Sequence, residues 1–159
     1  MAEADSIESI VFNGKFPHGV DGSRRVMVPA KWLPEKKGDK ASTIEFTLIV
    51  WPKSSSGVCL RALPPHKMAE LMREINAMPN SDPNKVVLKR FIGSESTQVP
   101  VDKQGRICLP EEMAAAAAIK DKAVLVGLLD RFEIWSPERG AAVKAADAVM
   151  AAEAFKLME

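Results

Sequence analysis

Two carboxylates in this 159-residue chain each stand four residues ahead of an arginine, Asp21 before Arg25 and Asp102 before Arg106. Paired carboxylates could serve hydrolysis or metal-assisted cleavage. An arginine at that spacing argues against it, because a neighbouring cation favours a plainly ionised carboxylate over one that holds a proton. The surrounding sequence supplies no glycine-rich phosphate loop, no histidine-containing metal motif and no Gly-x-Ser-x-Gly elbow. Cys59, Cys108, His18 and His66 lack the paired spacing of zinc ligands. The run Ser54-Ser55-Ser56-Gly57 reads as a hairpin turn rather than a nucleophile. These residues therefore point away from an enzyme and imply no cofactor. The chemistry left to them is recognition, since a guanidinium contacts phosphates and can bind a guanine edge through two hydrogen bonds.

The two motifs belong to longer matching segments. Val20-Asp21-Gly22-Ser23-Arg24-Arg25-Val26-Met27-Val28-Pro29 and Val101-Asp102-Lys103-Gln104-Gly105-Arg106-Ile107-Cys108-Leu109-Pro110 both read apolar, Asp, three residues, Arg, three apolar residues, Pro. Agreement at that many positions, 81 residues apart, marks an internal repeat. Polar residues or glycine inside and apolar residues outside place each motif on a turn leading into a strand. The aspartate of such a turn accepts backbone N–H bonds from residues ahead of it, and Gly105 suits a positive φ. One copy alone is equally a well-made turn closed by an ion pair. Two copies make a double basic prong of Arg25 and Arg106, to which Lys15, Arg24, Lys31, Lys103 and the Lys89-Arg90 pair could add phosphate contacts.

The segments after the two motifs are also alike. Pro29 and Pro110 can open short helices, about 30–36 and 111–119. Pairs of apolar strands come next, at 46–51 and 58–63 in the first copy and at 123–128 and 132–135 in the second. Each copy then closes with a helix. The first covers about 66–78, with Met68, Leu71, Met72 and Ile75 on one face. The second covers about 137–157, with Val143, Ala146, Val149, Met150 and Phe155 for packing. The breaker-rich stretch Met78–Pro83 separates repeat 1, about residues 11–78, from repeat 2, about 84–157, and a short helix at 84–91 leads into the second copy. Each unit is small for a core of its own. Residues 11–159 are accordingly read as one pseudo-symmetric α+β domain, a β-barrel of two tandem repeats with peripheral helices and a loose acidic arm at 1–10.

Composition fits a folded chain, with 47% hydrophobic and 27% charged residues, and the apolar runs fall well short of a membrane helix. The start, MAEADSIES, is acidic and does not read as a signal peptide. Cys59 and Cys108 sit in apolar runs and read as buried free thiols. Net charge is +1, but residues 13–106 carry +7 and each flank carries −3. A basic middle between acidic ends suits a polyanion-binding face.

At these residues the chain resembles the MraZ family of bacterial transcriptional regulators, from about Gly14 to Trp135. The two Asp-x-x-x-Arg motifs carry the resemblance, together with Val58-Cys59-Leu60-Arg61-Ala62-Leu63-Pro64, Val124-Leu125-Val126-Gly127 and Phe132-Glu133-Ile134-Trp135. It implies a swapped-hairpin barrel shared with AbrB-like regulators, a ring-like homo-oligomer, and binding of double-stranded DNA at short direct repeats upstream of division and cell-wall genes, usually as a repressor. It also implies a cytoplasmic, nucleoid-associated protein without a membrane partner. On this reading Arg24, Arg25, Arg106, Lys103 and Lys15 contact DNA, and Asp21, Asp102 and Gly105 shape the turns. A ring that keeps the fold without binding DNA is the alternative. The chain departs from the family where Ser23-Arg24 replaces the usual Lys-Gly, where Met68 stands in place of a tryptophan, and in its acidic N-terminal arm.

Overall fold

A computed structural model describes residues 7–34, 44–52 and 57–159. Among these residues eight strands form: β1 (Lys15–Gly19), β2 (Arg25–Met27), β3 (Glu45–Trp51), β4 (Cys59–Leu63), β5 (Ser96–Pro100), β6 (Arg106–Cys108), β7 (Lys122–Gly127) and β8 (Phe132–Trp135). Four helices accompany them: α1 (Pro65–Ala77), α2 (Pro83–Ser94), α3 (Glu111–Ala116) and α4 (Pro137–Phe155). Proline occupies the first turn of α1, α2 and α4, where its missing N–H costs nothing. Asp82 and Ser136 cap α2 and α4 by accepting the N–H groups of Asn84 and Arg139.

Six strands make one antiparallel sheet in the order β1-β7-β8-β4-β3-β5, and β2 pairs separately with β6. That order reads the same from either end when the two halves of the chain are exchanged. The first strand of each half pairs inside the other: β1 runs along β7, β5 along β3, and Val26 of β2 faces Ile107 of β6. The halves are thus interleaved as the resemblance implies. The closed barrel is not formed, however. β1 and β5 remain edges of an open sheet, because the chain leaves each edge for the β2–β6 ribbon instead of bonding the two edges to each other.

The core lies between the sheet and this ribbon. Phe12, Trp32, Phe46 and Phe132 are fully buried in it, with Trp32 and Phe132 4.9 Å apart and Phe16 edge-on to Trp32 at 5.2 Å. Trp32 Nε1 donates to the Asn13 carbonyl at 3.0 Å, so its polar atom is satisfied. A Cβ at Gly127 would sit 2.2 Å from the Phe12 carbonyl oxygen, and the close backbone crossing that installs Phe12 therefore requires glycine there. A smaller cluster of Ile49, Leu63, Ile75 and Ile92 packs on the opposite face of the sheet, under α1 and α2. β3 is consequently buried on both faces, from Phe46 through Val50, which explains why that stretch is apolar throughout but for Thr47. Where β4 and β8 meet, Arg61 Nε donates to Glu133 Oε2 at 2.9 Å, and Glu133 Oε1 accepts Trp135 Nε1 at 3.0 Å. The Arg61 guanidinium also lies 4.0 Å over the Trp51 ring, which adds a cation–π contact to this nearly buried ion pair.

Several expectations change. β1 and β5, the strands that lead into the motifs, carry Pro17, His18, Gln98 and Pro100 and lack an apolar run long enough to betray them. The helix after Pro29 is a single 3-10 turn, Ala30–Trp32, and residues 35–43 lie outside the described ones. So do 53–56, with most of the serine turn, and 1–6 of the acidic arm, whose residues Ile7–Ser9 form another 3-10 turn. Cys59 is buried but Cys108 is exposed, because strand alternation turns Ile107 inward and its neighbours outward. Met72 of α1 is exposed as well. On α4 only Val143 of the expected packing residues is half-buried; Ala146, Val149, Met150 and Phe155 face solvent, because the helix contacts β7 and β8 only near its start.

Arg24 holds a φ of 62° at the position where the second copy has Gly105 at 83°. The turn therefore demands the left-handed conformation in both copies, and Arg24 bears a strain that Gly105 avoids. Gly105→Ala should destabilise the protein by about 1–2 kcal/mol in urea unfolding, since a Cβ there meets nothing closer than 3.5 Å and the cost is conformational. A loss below about 0.3 kcal/mol would show that the turn relaxes without cost. A thiol reagent applied to the native protein should label Cys108 quickly and Cys59 only after denaturation. Equal rates for both would contradict the burial of one thiol and the outward face of the other.

Candidate nucleic-acid interface

The two motif loops are superimposable in their hydrogen bonds. Asp21 Oδ1 accepts the backbone N–H groups of Ser23 and Arg25, both at 2.9 Å, and Asp21 Oδ2 accepts Arg25 Nε at 2.9 Å. Asp102 Oδ1 likewise accepts the N–H groups of Gln104 and Arg106 at 2.9 Å, and its Oδ2 accepts Arg106 Nε at 3.1 Å. The backbone closes each loop in the same way: Asp21 N–H to the Arg25 carbonyl, and Asp102 N–H to the Arg106 carbonyl. The N–H of Arg25 lowers the Asp21 pKa most, and the N–H of Arg106 does the same for Asp102. Both carboxylates are held ionised as hydrogen-bond acceptors, which is the opposite of what acid–base or shared-proton chemistry requires. Among the described residues no group of three or more His, Cys, Asp or Glu side chains could hold a metal ion.

The β2–β6 ribbon brings the loops together. Leu109 N–H donates to the Arg24 carbonyl and Val28 N–H to the Gly105 carbonyl, both at 2.8 Å, so each loop is bonded to the strand exit of the other copy. In the register, Arg25 lies opposite Cys108 and Met27 opposite Arg106. Val26 and Ile107 fill the core, so those four side chains share the outward face. Arg25 and Arg106 form its diagonal, about 7–8 Å apart by ribbon geometry.

The loops differ in how tightly they hold their arginines. Arg106 is tethered to Asp102, to the Gln104 side-chain oxygen and, at 4.0 Å, to Asp21 of the other loop. Arg25 has Asp21 alone, and its side chain is 41% exposed against 25% for Arg106. Arg24 spends Nε on the Leu109 carbonyl at 2.9 Å, a bond that ties the first loop to the second copy. Lys103 is exposed at the tip of the second loop. Lys15 stands at the far end of β1, six residues and up to about 20 Å of extended chain before Asp21, so the fold does not bring it to the loops. Lys31 lies 5.7 Å from the Phe16 ring centre, and Lys89 and Arg90 sit on α2. Sequence reasoning passed over Gln104 and the outward pair Met27 and Cys108. The period-two alternation around Val26 and Ile107 carried the signal for that pair, but apolar runs conceal it.

Comparison with known proteins bears on the chain as a whole. A family model described as "MraZ protein, putative antitoxin-like" matches residues 92–151. A transcriptional regulator MraZ of Thermomicrobium roseum is 32% identical over 132 residues, covering 83% of this chain and 86% of that protein. One from Halothermothrix orenii is 31% identical over 131 residues, or 81% and 83% of the two chains. One from Desulforamulus reducens is 34% identical over 128 residues, or 80% and 83%. Relatives of this kind are named as regulators of transcription and not as enzymes. With two-thirds of the chain exceeded at more than 30% identity, and both Asp-x-x-x-Arg loops folded alike, this protein belongs to the MraZ family.

Proposed function

We propose that this chain is a sequence-specific DNA-binding regulator of transcription whose reading head is the outward face of the β2–β6 ribbon. One observation carries this reading: two arginines from equivalent loops, each aimed by a carboxylate and two backbone amides, stand side by side on a two-stranded ribbon. The major groove of B-DNA admits such a ribbon, and an arginine held in a fixed plane can engage guanine O6 and N7 together. Arg25 and Arg106 are the base-reading residues, Lys103 and the free end of Arg24 the phosphate contacts, and Asp21, Asp102 and Gly105 the supports that fix the loops. Lys15 is at most a peripheral contact with the DNA backbone. Met27 and Cys108, between the arginines, offer apolar surface to a thymine methyl group. The resemblance to the family extends this to repression from short direct repeats upstream of division and cell-wall genes, in the cytoplasm at the nucleoid, by a homo-oligomeric ring. An array of weak contacts gains affinity from linked subunits without any new contact at each site.

Titration of the protein with its own upstream DNA tests the reading. Arg25→Ala and Arg106→Ala should each keep the parent melting temperature within a few degrees, because exposed Arg–Asp pairs contribute little. Each should weaken binding by about 1–3 kcal/mol. Arg25→Ala should cost more, because Arg25 is the more exposed arginine and has fewer tethers to break before it reaches a base. Parent binding should fall with salt at a log–log slope of about −0.9 per phosphate neutralised. Parent-like affinity in both variants would remove the ribbon as the reading head. A salt-insensitive absence of binding in the parent would leave an interaction ring without DNA.

A further inference from the structure

The two halves of the chain treat their closing helices differently. Pro65 of α1 and Pro137 of α4 hold the same place after β4 and β8. α1 is then covered by α2, which returns along it and buries Ile92 against Ile75. Among the described residues α4 has no such cover. Its first turns are anchored by Gly140 against Trp135 and by Arg139, whose Nη1 donates to the carbonyls of Val58 and Ala116. Beyond Val143 the helix runs on through Phe155 with Met150 69% and Leu157 87% exposed. An isolated helical segment of this length is only marginally stable in water. Val143, Met150 and Leu157 recur every seven residues with Ala146 and Ala154 between them. That is one apolar stripe with small residues that permit close helix approach.

A second face without a partner among the described residues lies on α2. Its inner side holds Ile92, and its outer side presents Val86, Val87 and Phe91 at 51%, 55% and 40% exposure, with Arg90 among them. The charges of the two faces are opposite. α2 carries Lys85, Lys89 and Arg90 and no acid, whereas residues 144–159 carry Asp147, Glu153 and Glu159 against Lys144 and Lys156. Asp147 borders the α4 stripe as Arg90 borders that of α2, and neither side chain has an ion-pair partner among the described residues.

We infer that the projecting half of α4 docks on the outer face of α2 in a second copy of this chain, supplying head to tail the cover that α2 gives α1 within one chain. This rests on the oligomeric part of the proposed function and names its interface. The contact joins two different patches, so every copy keeps one free donor helix and one free acceptor face until a ring closes.

The test mixes two variants of the full chain. In Met150→Glu the donor stripe is spoiled and the acceptor kept, whereas Phe91→Glu does the reverse. Both substitutions fall on exposed positions, and circular dichroism melting verifies that each variant folds. Light scattering without DNA should give the parent a mass of several chains of 17.3 kDa and each variant alone a single chain. An equimolar mixture should give two chains, one intact donor on one intact acceptor. Arg90→Glu should disperse the parent assembly, and adding Asp147→Lys in the same chain should restore it. A monomeric parent, variants that keep the parent mass, or a folded mixture that stays monomeric would each overturn the proposal. Because no DNA is present, none of these outcomes bears on the ribbon as reading head, which the arginine variants test separately.

Discussion

Three residues of β2 pairing with three of β6 hold together everything that gives this protein a surface to use. The pairing sets Val26 against Ile107 in the core and, by strand alternation, turns Arg25, Met27, Arg106 and Cys108 outward on one face. A one-residue slip in this register would bury charge and expose the apolar pair, so a short ribbon is specified as strongly as a long one. The loops enforce the same register from outside, since each donates or accepts across the ribbon through Arg24, Gly105, Val28 and Leu109. The core and the outward arginine face are therefore two sides of one structure.

The sequence showed the motifs, the pairing of their copies and most of the long elements, because these rest on local chemistry. Asp at a turn, Pro at a helix start and β-branched runs each act within a few residues. The aspartate-centred loops fold as Asp-capped turns, with the second accepted N–H four residues ahead, where two or three is the spacing that turn chemistry alone suggests. Concealed features were those set by distant partners. β1 and β5 become strands because the other half supplies an edge to pair with, and their own residues hardly ask for it. Sheet closure was misread because the pattern shows which residues pair inward without showing where a sheet stops. Cys108 was misplaced because an apolar neighbourhood in sequence is not one in space when a strand alternates. Arg24 is a different case: its position needs a left-handed residue, and the chain meets the need with a strained arginine that gains a bond to the Leu109 carbonyl.

The near-symmetry of the two loops makes their differences informative. Identical aspartate bonds show that the loop scaffold is fixed twice over. Gln104, Arg24 and the 4.0 Å approach of Arg106 to Asp21 then set how far each guanidinium is free to move. One arginine is held closely and the other lightly, so two copies of one motif differ in the freedom of their guanidinium groups.

The interleaving of strands also bears on how the chain reaches this state. β1 cannot find its neighbour until β7, more than a hundred residues later, has been made, and β2 must wait for β6. On a ribosome the first half would emerge with its opening strand unpaired and Trp32 and Phe46 without Phe132 to cover them. Contacts this distant along the chain slow folding, because loop-closure entropy is lost before pairing repays it. The topology that places the two Asp-x-x-x-Arg loops side by side therefore makes assembly of the fold a late, all-or-none event, with the newborn chain sticky until its last third is complete.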